Sequence, residues 1–177
     1  MEEESITFEE VVKKWGPIYG IVGLIYTLIT TMFDFATMGF AVQALSFVIL
    51  VGIAFTVFFL ACKEYKDDNN GLLSFGRAFG IIALVGLIGG VIRAVGIYIY
   101  IKFVDTGYME RIQEAQEEMR ERFGAPDVDT SELPEFLKFF QTVEFLGVAT
   151  FFNVMLGVLI IGLIVAAIVH KKEDFSY

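Results

Sequence analysis

The fold of this chain is decided by residues 74–102, which read SFGRAFGIIALVGLIGGVIRAVGIYIYIK. The stretch is apolar and rich in glycine, and it exceeds the roughly 20 helical residues that cross a bilayer core of about 30 Å. One arginine, Arg93, lies near its middle. A charge at that depth needs a partner, because hydrocarbon offers no water to solvate it. The stretch therefore predicts a transmembrane helix that carries one costly polar group.

The rest of the chain has the same character. Of its 177 residues, 56% are hydrophobic and 15% are aromatic, whereas a soluble domain of this length needs more polar surface. The apolar runs are continuous rather than alternating, which favours helices over a transmembrane barrel. We predict an all-α, polytopic membrane protein that forms one membrane domain over residues 1–177. Its four transmembrane helices are expected at about 15–33, 40–62, 78–103 and 143–169.

Lysine and arginine side chains flank the predicted spans on one side only. They precede the first span, separate the second from the third and follow the fourth, at Lys13, Lys14, Lys63, Lys66, Arg77, Lys171 and Lys172. Because basic residues are retained on the cytoplasmic side, both termini are expected in the cytoplasm. The acidic segment 105–141 is then expected outside the membrane.

Segment 105–141 is predicted to be an amphipathic helical insertion between the third and fourth spans. Its apolar stripe repeats at intervals of three and four residues, at Tyr108, Ile112, Ala115, Met119 and Phe123. Gly124 and Pro126 are expected to end the helix. Three alternatives remain open for this outer helix, Tyr108–Phe123: it rests on the membrane surface, packs on a membrane-protein partner, or pairs with a second copy in a homo-oligomer.

Several function classes find no support in the composition. The net charge of −9 argues against nucleic-acid binding, which uses basic patches. The single cysteine, Cys62, excludes an internal disulfide, and the single histidine, His170, lies beside lysines at a helix end. The sequence offers no nucleophile with a base and no cluster of metal ligands. We therefore predict no catalytic residue, no metal and no cofactor, with membrane lipid as the surrounding partner.

Small residues form stripes at helical spacing in three of the spans. Lipid gives helices no hydrophobic drive to associate, so close approach through small side chains is what packs them. The predicted packing positions are Gly16, Gly20 and Gly23, then Gly86, Gly89, Gly90 and Gly96, and finally Ala149 and Gly157. Arg93 shares the face of the third-span glycines, so it is expected to point into the bundle.

The surroundings of Arg93 form the only candidate site. Counting inward from the outer ends of their helices places Arg93 and Asn153 at the same depth, so the Asn153 amide is the predicted hydrogen-bond acceptor. Tyr100, Gln43 and Asp34 complete the ligand-binding hypothesis. Two interpretations stay open. Arg93 binds an anion, a lipid phosphate or a substrate carboxylate, or it is a structural arginine bonded to Asn153 and to backbone carbonyls.

Three segments together resemble a known family. SFGRAF at 74–79, YIYIKFVDTGYMERI at 98–112 and the closing apolar span with HKK at 170–172 are similar to an uncharacterised bacterial family of small four-helix integral membrane proteins, a domain of unknown function. The resemblance implies a multi-pass protein of the bacterial inner membrane. It implies no activity and no cofactor.

The expected function is that of a non-enzymatic membrane protein, acting as a subunit, scaffold or regulator. The alternative is a small oligomeric transporter or channel with an anion or lipid-phosphate site around Arg93, because four spans enclose little space. An enzyme ranks last, since no paired carboxylates or metal ligands lie within the spans.

Overall fold

A computed structural model of the protein describes residues 6–124, 134 and 138–171. Within these ranges the chain forms five α-helices, and its only bridge of the β type joins Leu73 to Lys171. The helices are α1 (Phe8–Met32), α2 (Phe40–Asp68), α3 (Phe75–Phe103), α4 (Tyr108–Arg122) and α5 (Val143–Val169). Short 3-10 turns at Phe35–Thr37 and Phe139–Gln141 precede α2 and α5.

The four predicted membrane-length helices are confirmed. Helices α1, α2, α3 and α5 are 25, 29, 29 and 27 residues long, and each is long and apolar enough to cross a membrane. Helices α1, α2 and α3 extend beyond the predicted spans at the end where their flanking residues are polar. The α1 extension is stabilised by a capping box in which the Thr7 amide donates to Glu10 Oε2 at 2.8 Å. Ser74 caps α3 by accepting from the Arg77 amide.

The predicted amphipathic insertion is confirmed as α4, which begins at Tyr108 and ends at Arg122. Gly124 follows it with a φ of +63°, a conformation that glycine adopts without strain. Part of the remaining insertion, residues 125–133 and 135–137, lies outside the described residues. The sequence ELPEFLKFF, at 132–140, predicts a helix start just before the fourth span, and most of that stretch lies within this part.

Helix α3 occupies the centre of the bundle. Its most extensive contacts are with α1 and α5, and α2 packs against the same two helices, so α2 lies diagonally across from α3. Glycines bring α1 and α3 unusually close. A Cβ atom added to Gly20 would lie 3.1 Å from the Gly89 Cα, and one added to Gly89 would lie 3.1 Å from the Gly20 nitrogen. The two backbones therefore cross where neither helix has a side chain.

The two ends of the bundle differ in packing. One end contains the start of α1, the α2–α3 connection and the end of α5, and we call it the basic end. We call the opposite end the α4 end. At the basic end, Leu73 and Lys171 exchange backbone hydrogen bonds of 2.8 and 3.1 Å, and Lys66 Nζ donates to the Val169 carbonyl at 2.8 Å. These contacts tie α2, α3 and α5 together.

The hydrophobic core lies mainly in the half nearer the basic end. Its largest fully buried side chains include Phe58, Ile81, Ile82, Val85 and Val165. In α2 every buried residue lies between Ala54 and Tyr65, and none lies within residues 40–53. The half of α2 nearer the α4 end is therefore loosely packed, which leaves space between α1, α2 and α3.

Candidate functional site

That space is a partly open cavity of about 290 Å³ with Arg93 on its wall. Helix α1 contributes a run of hydroxyl side chains, α2 contributes both polar and apolar side chains, and α4 covers the cavity with Tyr108. The residues that line it are Tyr26, Thr27, Thr30, Thr31, Phe35, Ala36, Gln43, Ser46, Phe47, Leu50, Arg93 and Tyr108. A cavity whose lining contains polar groups and one charge therefore lies between the membrane-length helices.

Arg93 is buried, with 6% of its surface exposed. Its Nη2 donates to Thr27 Oγ1 at 3.0 Å, and that hydroxyl in turn donates to the Gly23 carbonyl at 2.8 Å. Gly23 makes the approach sterically feasible, because a Cβ atom there would lie 2.7 Å from the Arg93 Cδ. The Gly23 stripe on α1 is thus the surface against which the arginine side chain lies.

The Arg93 guanidinium has more N–H donors than it has acceptors to bond. Its Nε is buried and has no hydrogen-bond acceptor among the described residues. None of the ion pairs in the described ranges includes Arg93. The Tyr19 phenol, which is 3% exposed and packs on the Phe58 ring at 4.8 Å, is an additional electrostatic neighbour. A buried cation without a countercharge is costly, because the desolvation of an ion amounts to several kcal/mol.

The hydroxyl groups of the cavity already donate within the protein. Thr30 Oγ1 donates to the Thr27 carbonyl at 2.9 Å, as hydroxyls in helices often do. The Tyr26 hydroxyl lies 2.7 Å from Ser46 Oγ and 2.8 Å from the Ser46 carbonyl, which joins α1 to α2. These oxygens keep lone pairs that accept hydrogen bonds.

Gln43 fixes the connection between α1 and α2. Its Nε2 donates to the Ala36 carbonyl at 3.1 Å and to the Met38 carbonyl at 2.7 Å. Both amide hydrogens are therefore engaged, and the side-chain Oε1 is left as an acceptor. Gln43 lines the cavity from α2.

An ionic cluster lies over the cavity. Arg111, in the first turn of α4, donates to Asp34 at 3.1 Å and to Asp105 at 2.8 Å. These hydrogen bonds from Arg111 hold the pKa of Asp105 below its ordinary value, and the two carboxylates raise the pKa of Arg111. Burial raises the pKa of Tyr108, and the nearby Asp34 charge adds to the effect. We call Asp34, Asp105 and Arg111 the roof cluster.

The structure brings together only part of the predicted site. Arg93 and Gln43 line the same cavity, and Asp34 lies in the roof cluster, where it binds Arg111. Asn153 is exposed on α5, and neither it nor Tyr100 lines the cavity or accepts a hydrogen bond from Arg93. The acceptor that Arg93 uses is Thr27, because α1 rather than α5 faces the arginine.

Most of the predicted packing positions lie at close helix contacts, but those on α5 do not. A Cβ atom added to one of seven glycines would come within 3.4 Å of a neighbouring helix, at Gly16, Gly20, Gly23, Gly86, Gly89, Gly90 and Gly96. At Gly157 an added Cβ would meet nothing within 4 Å. Ala149, on the same side of α5, is half-buried. The Ala149–Gly157 stripe is thus left largely unused by packing within the described chain.

Several cavity residues were missed at the sequence level. Thr30, Thr31 and Ser46 are among them. The sequence gives an evident signal for Thr30, because Thr27 and Thr30 continue the glycine stripe of α1 toward the α4 end. The sequence gives a weaker signal for Arg111 and Tyr108, because the helix whose first turn contains them has the pattern of a surface helix. Only the fold of α4 back over the α1–α2 connection places them at the cavity.

A larger groove lies elsewhere, between α3 and α5. It measures about 390 Å³ but is shallow and almost wholly apolar, and it is lined by Val91, Ala94, Val95, Tyr98, Glu144, Gly147, Val148 and Phe151. The ion pair between Lys102 and Glu144, at 2.8 Å, lies at its rim. Lipid chains can fill such a groove without specific recognition. The smaller cavity is the better candidate site, because it combines a buried charge with convergent polar groups.

Four membrane-length apolar helices define an α-helical integral membrane protein, and three of them, together with α4, line a cavity that contains a buried arginine. Residues 14–171 match the model of a family described as "Protein of unknown function (DUF4199)", and the chain belongs to that family. The match confirms the resemblance to a family of unknown function, while bacterial origin stays a prediction. A comparison with curated proteins and another with solved structures found no match.

Proposed function

We propose that the protein is a non-enzymatic membrane regulator or subunit that binds an anionic group at Arg93. The observation that carries the proposal is the buried guanidinium on the wall of a 290 Å³ cavity, whose Nε has no acceptor and which forms no ion pair in the described part of the chain. Ionisable groups within membrane spans are rare and mark ligand or ion sites by default.

The energetics favour an anion as the ligand. Hydrogen bonds to charged groups contribute about 1.5 to 3 kcal/mol each, and an ion pair gains further in a low-dielectric environment. A carboxylate or a phosphodiester in the cavity would supply acceptors that Thr27 alone does not provide. Binding would therefore offset part of the desolvation cost of Arg93.

The orientation of the site follows from the charge pattern. We propose that the basic end faces the cytoplasm, because Lys13, Lys14, Lys63, Lys66, Arg77 and Lys171 all lie there. The cavity then belongs to the outer half of a bacterial inner membrane, with α4 on the outer surface. A ligand would enter from outside or from the outer leaflet.

The packing favours a binding protein over a transporter or channel. The half of the bundle nearer the basic end is filled by side chains such as Phe58, Ile82 and Val85, which are fully buried. Transport would require this core to open. Met119, on α4, and Phe123, just after it, are exposed apolar residues to which a membrane partner could bind. Through this contact the partner would respond to whether the cavity holds a ligand.

The proposal is tested with propionate as a carboxylate probe and the protein in phosphatidylcholine nanodiscs. We expect propionate to raise the thermal unfolding temperature above that in chloride at equal ionic strength. Arg93→Gln should abolish the rise, whereas the control Arg122→Gln, an exposed arginine on α4, should keep it. A rise that persists in Arg93→Gln, or none in the wild type, would contradict anion binding at Arg93. Propionate influx into proteoliposomes that exceeds the passive influx into protein-free liposomes would contradict the binding-only role.

A further inference from the structure

We propose that the group bound at Arg93 is the anionic end of a zwitterion, and that the cavity's acceptor oxygens and the roof cluster hold its ammonium end. The inference rests on the proposed anion site and names its ligand class. It follows from an imbalance between donors and acceptors within the cavity.

Arg93 is the dominant donor of the cavity. The hydroxyl hydrogen of Thr27 is committed to the Gly23 carbonyl and that of Thr30 to the Thr27 carbonyl. Tyr26 and Ser46 are hydrogen-bonded to each other. The Thr27 and Thr30 oxygens keep lone pairs but offer no spare hydrogen, so this part of the hydroxyl wall presents acceptors to a ligand.

Gln43 adds to the acceptor side. Because its Nε2 donates to two backbone carbonyls, at 2.7 and 3.1 Å, its Oε1 is the free atom of the amide. A simple monoanion would satisfy Arg93 and leave this oxygen and the Thr30 hydroxyl oxygen without donors. An ammonium group carries up to three N–H donors and would satisfy them.

The charge of the roof cluster points the same way. Asp34 and Asp105 share the single guanidinium of Arg111, so two carboxylates and one cation leave a net charge of −1 over the cavity. Tyr108 lies within electrostatic reach of both carboxylates and lines the cavity, which connects the roof cluster to the binding space. A cationic end is attracted to this region, and a second negative charge is repelled.

The charges therefore define an axis that runs from Arg93 to the roof cluster. One positive charge, Arg93, lies buried on the cavity wall, and a net negative charge lies at the α4 end. A neutral zwitterion aligned with this axis satisfies both ends, whereas a dianion would face one arginine and a repelling roof. Two sources supply such a ligand: a small amino acid from solution, or the phosphoethanolamine head group of a membrane lipid.

The experiment compares matched probes on the full-length protein in nanodiscs. The soluble probes are β-alanine, propionate and propylamine, which share a three-carbon skeleton and carry both charges, only the carboxylate, or only the ammonium. Affinity is read from the ligand-dependent unfolding temperature in phosphatidylcholine. The lipid arm replaces phosphatidylcholine with phosphatidylethanolamine, whose ammonium has N–H donors, or with phosphatidylglycerol, which has none.

We expect β-alanine to bind about tenfold more tightly than propionate, since one charge-assisted hydrogen bond is worth that factor. Thr30→Val should reduce β-alanine binding toward the propionate level and leave propionate binding unchanged. Thr30→Val serves as the variant that folds normally, because the Thr30 hydroxyl bonds only its own helix backbone. Stabilisation by phosphatidylethanolamine over phosphatidylglycerol, with no effect of β-alanine, would assign the same chemistry to a lipid head group.

The inference is overturned if propionate binds as tightly as β-alanine and phosphatidylglycerol stabilises as well as phosphatidylethanolamine. Binding of propionate that depends on Arg93 would then leave the anion site standing. If no probe and no lipid has an effect that depends on Arg93, the anion site and the zwitterion inference both fail.

Discussion

Asp34 binds Arg111 and not Arg93. Its carboxylate accepts from Arg111 Nε at 3.1 and 3.2 Å and from Nη2 at 3.1 Å, so the two groups meet in a two-pronged ion pair. The pair joins the end of α1 to the first turn of α4 and takes up a carboxylate that the sequence suggests for Arg93. The buried arginine is thereby left free for a ligand.

The Asp34–Arg111 pair should stabilise the docking of α4. We expect Asp34→Asn and Arg111→Gln to show a favourable coupling energy in a double-mutant cycle, because each variant removes the same ion pair. Each variant should also increase hydrogen exchange at the start of α4. Glu9→Gln, which breaks an exposed pair with Lys13, is the control and should leave α4 unchanged. A coupling energy of zero would show that α4 is held by other contacts.

Acid should loosen the same helix through Asp105. The folded-state pKa of Asp105 is lowered from the ordinary 3.8, so its contribution to stability is present above pH 3.8 and is lost as pH falls through the folded-state pKa. Hydrogen exchange in α4, corrected for the intrinsic effect of pH, should therefore rise below pH 3.8. Asp105→Asn should show a smaller rise. An equal rise in that variant would assign the acid effect to another group.

The glycine crossing of α1 and α3 should tolerate no side chain. Gly89→Ala would place a Cβ atom 3.1 Å from the Gly20 backbone nitrogen and against the buried Tyr19, so we expect a loss of about 1 to 3 kcal/mol from overpacking. Gly157→Ala is the matched control, because its Cβ would meet nothing within 4 Å. The free energy of unfolding of both variants is measured in mixed micelles. Equal stabilities of the two variants would contradict the close crossing of the helices.

Membrane orientation is tested by cysteine labelling in cells of an expression host. The native Cys62 is buried, so it should stay unlabelled by a membrane-impermeant maleimide. Asp67→Cys, at the end of α2, should react only after the cells are opened. Glu117→Cys on α4 should react in intact cells. The reverse pattern would place the basic end outside and contradict the proposed access to the cavity.

The helices themselves are predictable because their signals are local. A continuous apolar run in a chain such as 143–169 has few alternatives to a transmembrane helix, and the Thr7–Glu10 capping box sets the start of α1 within a few residues. The packing glycines of α1 and α3 are visible for the same reason. Their spacing places them on one face of each helix whatever the neighbours are.

The partners of Arg93 are less predictable, because they depend on which helices are adjacent. Depth along the spans places Asn153 level with Arg93, but depth does not reveal that α1 covers the arginine while the Asn153 side chain is exposed. The return of α4 over the α1–α2 connection is equally hidden. It depends on the contact of Arg111 with Asp34, which is 77 residues distant in sequence.

Arg93 is the anchor of the proposed ligand cavity, and the binding of 3-bromopropionate tests this role. Its carboxylate matches the propionate probe, and its bromine gives an anomalous diffraction signal. In crystals grown in a lipidic phase, we predict a bromine peak in the cavity between Arg93 and Tyr108, absent from crystals of Arg93→Met. The contradicting result is a peak in the apolar groove between α3 and α5, or a peak in the cavity that persists in Arg93→Met.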